Sequence, residues 1–85
     1  MDKILLEIVC PATSKHYDFW ISKQMKISVA KSKIISEIRE YEKNEGLFGD
    51  ESKVMLFCEN EKVLQDENRT VEQAGVQSGN CLMLI

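Results

Sequence analysis

The sequence predicts an α+β domain: a mixed five-strand sheet with one long helix across one face and a short helix before the last strand. Three observations predict it. Residues 3–10 and 15–22 alternate with a period of two on either side of a proline-bearing turn. At about residue 27 the apolar period becomes helical and holds as far as Tyr41. Short apolar runs then follow at 53–58, 62–64 and 81–85, separated by turn residues. With 85 residues, the chain is expected to form one domain, 1–85. A chain of this size buries only about 60–65% of its unfolded surface, which leaves little room for a deep pocket.

In the first strand Ile4, Leu6, Ile8 and Cys10 share one face, and Leu5, Glu7 and Val9 take the other. Pro11 has no N–H to give a ladder, so Pro11-Ala12-Thr13-Ser14 reads as a turn. In the second strand Tyr17, Phe19 and Ile21 lie opposite His16, Asp18 and Trp20. Two such runs joined by a short turn make a hairpin. Ile27, Ala30, Ile34, Ile38 and Tyr41 then recur at helical spacing, and Ile35 widens the stripe. Ser28 is the expected N-cap and Gly46 the expected C′ residue, bounding a helix near 28–44. Its charges oppose the macrodipole, with Lys31 and Lys33 early and Glu40, Glu42 and Glu45 late. Packing of the stripe must therefore hold the helix. Leu47 and Phe48 are expected to fold back onto the core, and Gly49-Asp50 to turn. Thr70 and Gln73 have the spacing of a capping box, opening a short helix that Gly75 stops.

Composition excludes several functions. The net charge is −3 and the pI about 5.1, without the basic stripe of a nucleic-acid binder. No apolar run approaches the roughly 18 residues of a membrane span. The first ten residues are too charged for a signal peptide, so a cytoplasmic chain is expected. Cys10, Cys58 and Cys81 are odd in number and show no CxxC spacing, which argues for reduced thiols and against a disulfide framework or zinc. No phosphate-binding loop, HExxH or GxSxG motif is present. His16 is the only histidine and lies on the face opposite the core. A nucleophile made of Cys10 and His16 would lack an orienting group and a pocket. No catalytic residue, metal or cofactor is expected; a thiol enzyme using Cys10 or Cys58 is the rival reading. Lys23, Lys26, Lys31 and Lys33 cluster where the helix begins. They form either a solvated end of the domain or a docking patch for an acidic partner or a membrane surface.

Met55-Leu56-Phe57, a turn, Val63-Leu64, Thr70-Val71, Val76 and Leu82-Met83-Leu84 together resemble the second half of ubiquitin step for step. Ile21 and Ile27 bracket the turn into the helix, and with Ala30 and Ile34 they match the first half in outline. The resemblance covers nearly the whole chain and is loosest around 39–52. It implies the β-grasp fold, with strands in the order second-first-last-third-fourth. The chain ends on the strand Leu82-Met83-Leu84-Ile85 without a Gly-Gly tail. In this it resembles the YukD family, small ubiquitin-fold proteins associated with type VII (WXG100) secretion systems of Gram-positive bacteria. That resemblance implies a cytoplasmic accessory or regulatory partner of the secretion machine that is not conjugated to other proteins. The alternatives are another β-grasp adaptor with a signalling partner, or a covalent modifier or sulfur carrier with a processed Gly-Gly end.

The helix is expected to cover Ile4, Leu6, Ile8, Tyr17, Phe19, Ile21, Met55, Phe57, Leu82 and Leu84. Alternation then turns Leu5, Val9, Trp20, Val54, Leu56, Met83 and Ile85 outward. A helix-covered sheet ordinarily shows polar residues on its open face. An apolar set there reads as a partner-binding surface, for a secretion component or a second copy of the chain. By the resemblance, Leu56 and Ile85 take the central apolar positions of ubiquitin's recognition face, and Met83 stands where ubiquitin has a histidine. The same register sets Cys58 beside Cys81 on the open face.

Overall fold

A computed structural model describes residues 2–60, 63, 64 and 66–85. Its elements are β1 (Lys3–Cys10), β2 (Lys15–Ser22), α1 (Ile27–Glu42), β3 (Leu56–Cys58), β4 (Val63–Leu64) and β5 (Cys81–Leu84), with a 3-10 turn at Glu51–Lys53. The sheet order is β2-β1-β5-β3-β4. β1 and β2 form an antiparallel hairpin, and β5 lies parallel to β1 and antiparallel to β3. β4 pairs antiparallel with β3 at the edge of the sheet. The expected turn residue Glu61 and strand residue Lys62 lie outside the described residues.

α1 covers one face of the sheet. Ile27, Ala30, Ile34, Ile35 and Ile38 are buried against Ile4, Leu6, Ile8, Ile21, Leu82 and Leu84. Each fully buried isoleucine contributes roughly 1.5–3 kcal/mol. An adverse charge at an exposed helix end costs only about 0.3–1 kcal/mol, so burial wins.

The ends of α1 differ from expectation. The helix starts at Ile27, and its N-cap Lys26 makes no side-chain cap. The carbonyls of Arg69 and Glu67 accept from the N–H groups of Ile27 and Ser28, at 2.8 and 3.1 Å. A loop distant in sequence thus supplies the cap expected of Ser28. At the other end Lys43 adopts the left-handed conformation with φ 55°, and the Asn44 N–H closes onto Arg39 O at 2.9 Å. The helix therefore stops before Gly46.

The short helix before the last strand does not form as an α-helix; residues 71–75 are turns. Its capping box does close. The Thr70 N–H donates to Gln73 Oε1 and the Gln73 N–H to Thr70 Oγ1, both at 3.0 Å. The Ala74 N–H reaches Thr70 O at 3.0 Å, and Gly75, with φ 76°, ends the turn there.

The third strand is where the sequence misleads. Leu56 pairs with Leu84, Phe57 with Met83 and Cys58 with Leu82. Opposed residues share a face, so Leu56 joins the core side of β5 and Phe57 joins Met83. Val54, Leu56 and Cys58 are buried at 7%, 2% and 0% exposure, whereas Met55 is 46% exposed. Val54 and Leu56 are thus core residues and not part of the open face. The expected pairing of Leu56 with Met83 is off by one residue, and that slip flips every side chain of the strand. It also separates the thiols: Cys58 is buried in the core and Cys81 half-buried on the open face.

Lys31 is the other correction. It is buried, with Nζ donating to Val54 O at 2.9 Å and to Glu67 Oε2 at 2.8 Å. It ties α1 to the segment before β3 and to the loop that caps the helix. Lys26 and Lys33 stay exposed and Lys23 is half-buried, so no patch of all four lysines exists.

Candidate functional site

The face of the sheet away from α1 is built by strand alternation and by register. β1 turns Leu5, Glu7 and Val9 outward. β2 turns out His16, Asp18 and Trp20; β5 turns out Cys81 and Met83, and Ile85 continues that parity. The inverted β3 adds Phe57, preceded by Met55.

Pairing sorts these side chains into rows across the strands. Trp20 lies opposite Leu5, and Asp18 opposite Glu7, which in turn lies beside Cys81. His16, Val9, Met83 and Phe57 make the next row. Beyond it Ile85 and Met55 exchange backbone hydrogen bonds at 2.8 and 3.4 Å. The result is an apolar block of Val9, Met83, Phe57, Met55 and Ile85. A second apolar pair, Trp20 and Leu5, lies on the far side of the acidic row. Trp20 is 58% exposed and Ile85 54%. A shallow cleft of ≈ 470 Å³ adjoins Ile85, lined by Pro11, Ala12, Phe48 and Leu84 among others.

Of the seven residues expected to face outward, Leu5, Val9, Trp20, Met83 and Ile85 stand on this face. Val54 and Leu56 do not, and Met55 and Phe57 take their place. Nothing in the run Val54-Met55-Leu56-Phe57-Cys58 could have signalled this, because both parities are apolar.

The thiols are poor candidates for chemistry. Burial pushes the Cys81 thiol up to about 11, and the Glu59 carboxylate, 3.5 Å from its Sγ, adds to the shift. At neutral pH it is protonated, and the thiolate is the nucleophile. Cys10 and Cys58 are fully buried. Cys10 is on the core side of β1, whereas His16 is exposed and bonded to Glu7 Oε2 at 3.0 Å. The two cannot act together. Among the described residues no group of three or more His, Cys, Asp or Glu side chains could hold a metal ion, and no helix is long and apolar enough to cross a membrane.

No known protein-family profile matches the chain, and no curated protein matches it. Solved structures do. The chain is similar to the ubiquitin-like domain of Arabidopsis thaliana protein At2g32350, with TM-score 0.73 and 17% identity, covering 100% of this chain and 78% of that one. It is similar to the ubiquitin of Caldiarchaeum subterraneum, with TM-score 0.74 and 13% identity, covering 98% and 91%. It is also similar to a structure described as "Molecular Mimicry of SUMO promotes DNA repair", with TM-score 0.77 and 14% identity, covering 100% and 92%. At these identities the likeness speaks to fold alone. A hairpin, one long helix across the sheet and a central last strand parallel to the first are the shared architecture: this chain has the ubiquitin-like β-grasp fold.

Proposed function

We propose that this protein is a non-catalytic interaction module that docks the open face of its sheet onto a protein partner. The observation that carries the proposal is the block of Val9, Met55, Phe57, Met83 and Ile85 on the sheet face away from α1. Strands exposed on one side ordinarily carry polar residues there, and contiguous apolar patches on small proteins mark binding sites. Phe57 and Met83 sit at the middle of the block, where anchors carry most interface energy. Met55 and Met83 add a surface that can repack around a partner. The burial of Cys10 and Cys58 and the raised Cys81 thiol favour this reading over a thiol enzyme.

The finer part of the proposal is that the partner belongs to a type VII (WXG100) secretion system, and that the chain is bacterial, cytoplasmic and not conjugated. It rests on the resemblance to the YukD family. The test is affinity capture from the native cell with cross-linking, comparing the natural chain with Phe57→Asp and Met83→Asp. Each variant should melt as a folded domain and lose at least about 2 kcal/mol of partner affinity, as an anchor does. Undiminished capture by folded variants overturns docking through this face. A face-dependent partner from outside a secretion apparatus overturns the secretion role and leaves the docking intact. A covalent adduct through the chain's carboxyl end overturns the non-conjugating reading.

A further inference from the structure

The open face is not uniformly apolar: carboxylates line up where the two apolar groups meet, with His16 bonded to one of them. Asp18 and Glu7 are directly opposed across β1 and β2. Like charges in that position destabilise a sheet. His16 relieves only part of this, through Glu7. Among the described residues Asp18 forms no ion pair. Cys81 continues the row on the far side of Glu7, and the carboxylate of Glu59 is bonded to its thiol. The Cys81 thiol is raised mainly by burial, and Glu59 and then Glu7 add to it. Lys3, on the same parity, stands beyond Leu5 at the end away from the apolar block. Folding alone gives no reason to line up three carboxylates between two apolar groups.

The geometry fixes what such a face complements. Adjacent strands are about 4.8 Å apart, so the Asp18–Glu7–Cys81–Glu59 row is a ridge roughly 14 Å long. Neighbouring rows along a strand are about 6.6 Å apart, within the span of one partner segment. A partner contributing only apolar groups would bury Asp18, which has no ion pair among the described residues, and that is costly. An anionic membrane surface or an acidic segment would be repelled.

We propose that the occupant of this face is a protein segment whose apolar side chains border a row of basic ones, arginine above all, because its planar fork matches a carboxylate with two hydrogen bonds. This rests on the docking role of the open face and adds the partner's chemistry. The carboxylates set which apolar segment is accepted, and the apolar block supplies the holding area.

The test uses the full chain and two amphipathic helical peptides with identical leucine positions, one with arginine and one with glutamate on the polar positions. Binding is followed by amide chemical shifts and calorimetry at low and high salt. Each exposed ion pair is worth up to about a factor of five, so the arginine peptide should bind about 10-fold tighter than the glutamate peptide. High salt should erode that preference. Its shifts should map to Trp20, Glu7, Val9, Met83 and Phe57. The variant Glu7→Gln/Asp18→Asn/Glu59→Gln, checked by melting, should lose most of the preference while still binding leucine-bearing peptides. Equal binding of both peptides on the open face overturns the charge rule and leaves the docking face standing. Shifts confined to the α1 side overturn both. Absence of binding by either peptide overturns the charge rule, while native-partner capture with Phe57→Asp still decides the docking face.

Discussion

Leu56 lies on the buried face of β3, opposite Leu84 of β5. Leu56 is 2% exposed among core residues, so Leu56→Ala should cost about 2–5 kcal/mol. Phe57→Ser, on the other side of the same strand, should cost less than half as much. Denaturant melts of the two variants measure the difference, and the reverse ranking would restore the alternative register. Lys31 makes a similar point about charge. The sequence groups it with Lys23, Lys26 and Lys33, because nothing local distinguishes a lysine that will be buried. Only the tertiary approach of Val54 and Glu67 does so. Lys31→Met should lose about 1–3 kcal/mol, the cost of leaving the Val54 carbonyl without its donor. Glu67 is 38% exposed, so its freed carboxylate can turn to water. A melt unchanged from the natural chain would show that Lys31 holds nothing together.

At the scale of elements, legibility followed periodicity. β1, β2 and α1 each carry one unambiguous period, and their extents were readable to within a residue or two. β3 carries none, being apolar at both parities and three residues long. The capping box at Thr70 and Gln73 is legible in the sequence, but the short helix expected behind it closes as a single turn, because Gly75 ends it. The far end of α1 shows how a helix tolerates an adverse charge. Glu42 accepts from Tyr17 Oη at 2.8 Å and from Lys15 Nζ at 3.1 Å. The Tyr17 hydroxyl first, and Lys15 second, hold its carboxyl below the ordinary value of 4.5. The folded pKa is thus lower than the unfolded one. The stabilisation is complete above the unfolded value and is lost as pH falls through the folded value. Glu42→Gln should therefore flatten the stability profile below pH 4.5, as read by melts across the acid range. An acid limb as steep as that of the natural chain would remove Glu42 from this account.

For the whole molecule, the fold was legible because order and period agree, and the docking face was legible only in part. Five of its residues follow from alternation in β1, β2 and β5. The other two, Met55 and Phe57, depend on how β3 meets β5, a non-local pairing that one sequence does not specify. The acidic row is not legible in the sequence for the same reason, since Asp18, Glu7 and Glu59 lie in three separate segments and meet only in the sheet. The face as a whole carries the central claim, and Trp20, the only tryptophan, reports on it. It is 58% exposed and lies across the acidic row from the apolar block, so one partner spanning the face must cover it. The measurement is acrylamide quenching of Trp20 fluorescence in the free chain and in the complex with a tryptophan-free partner fragment. Free Trp20 should be quenched as a solvent-exposed indole, and in the complex its emission should shift to the blue and resist quenching. Quenching as strong in the complex as in the free chain would contradict docking across the open face.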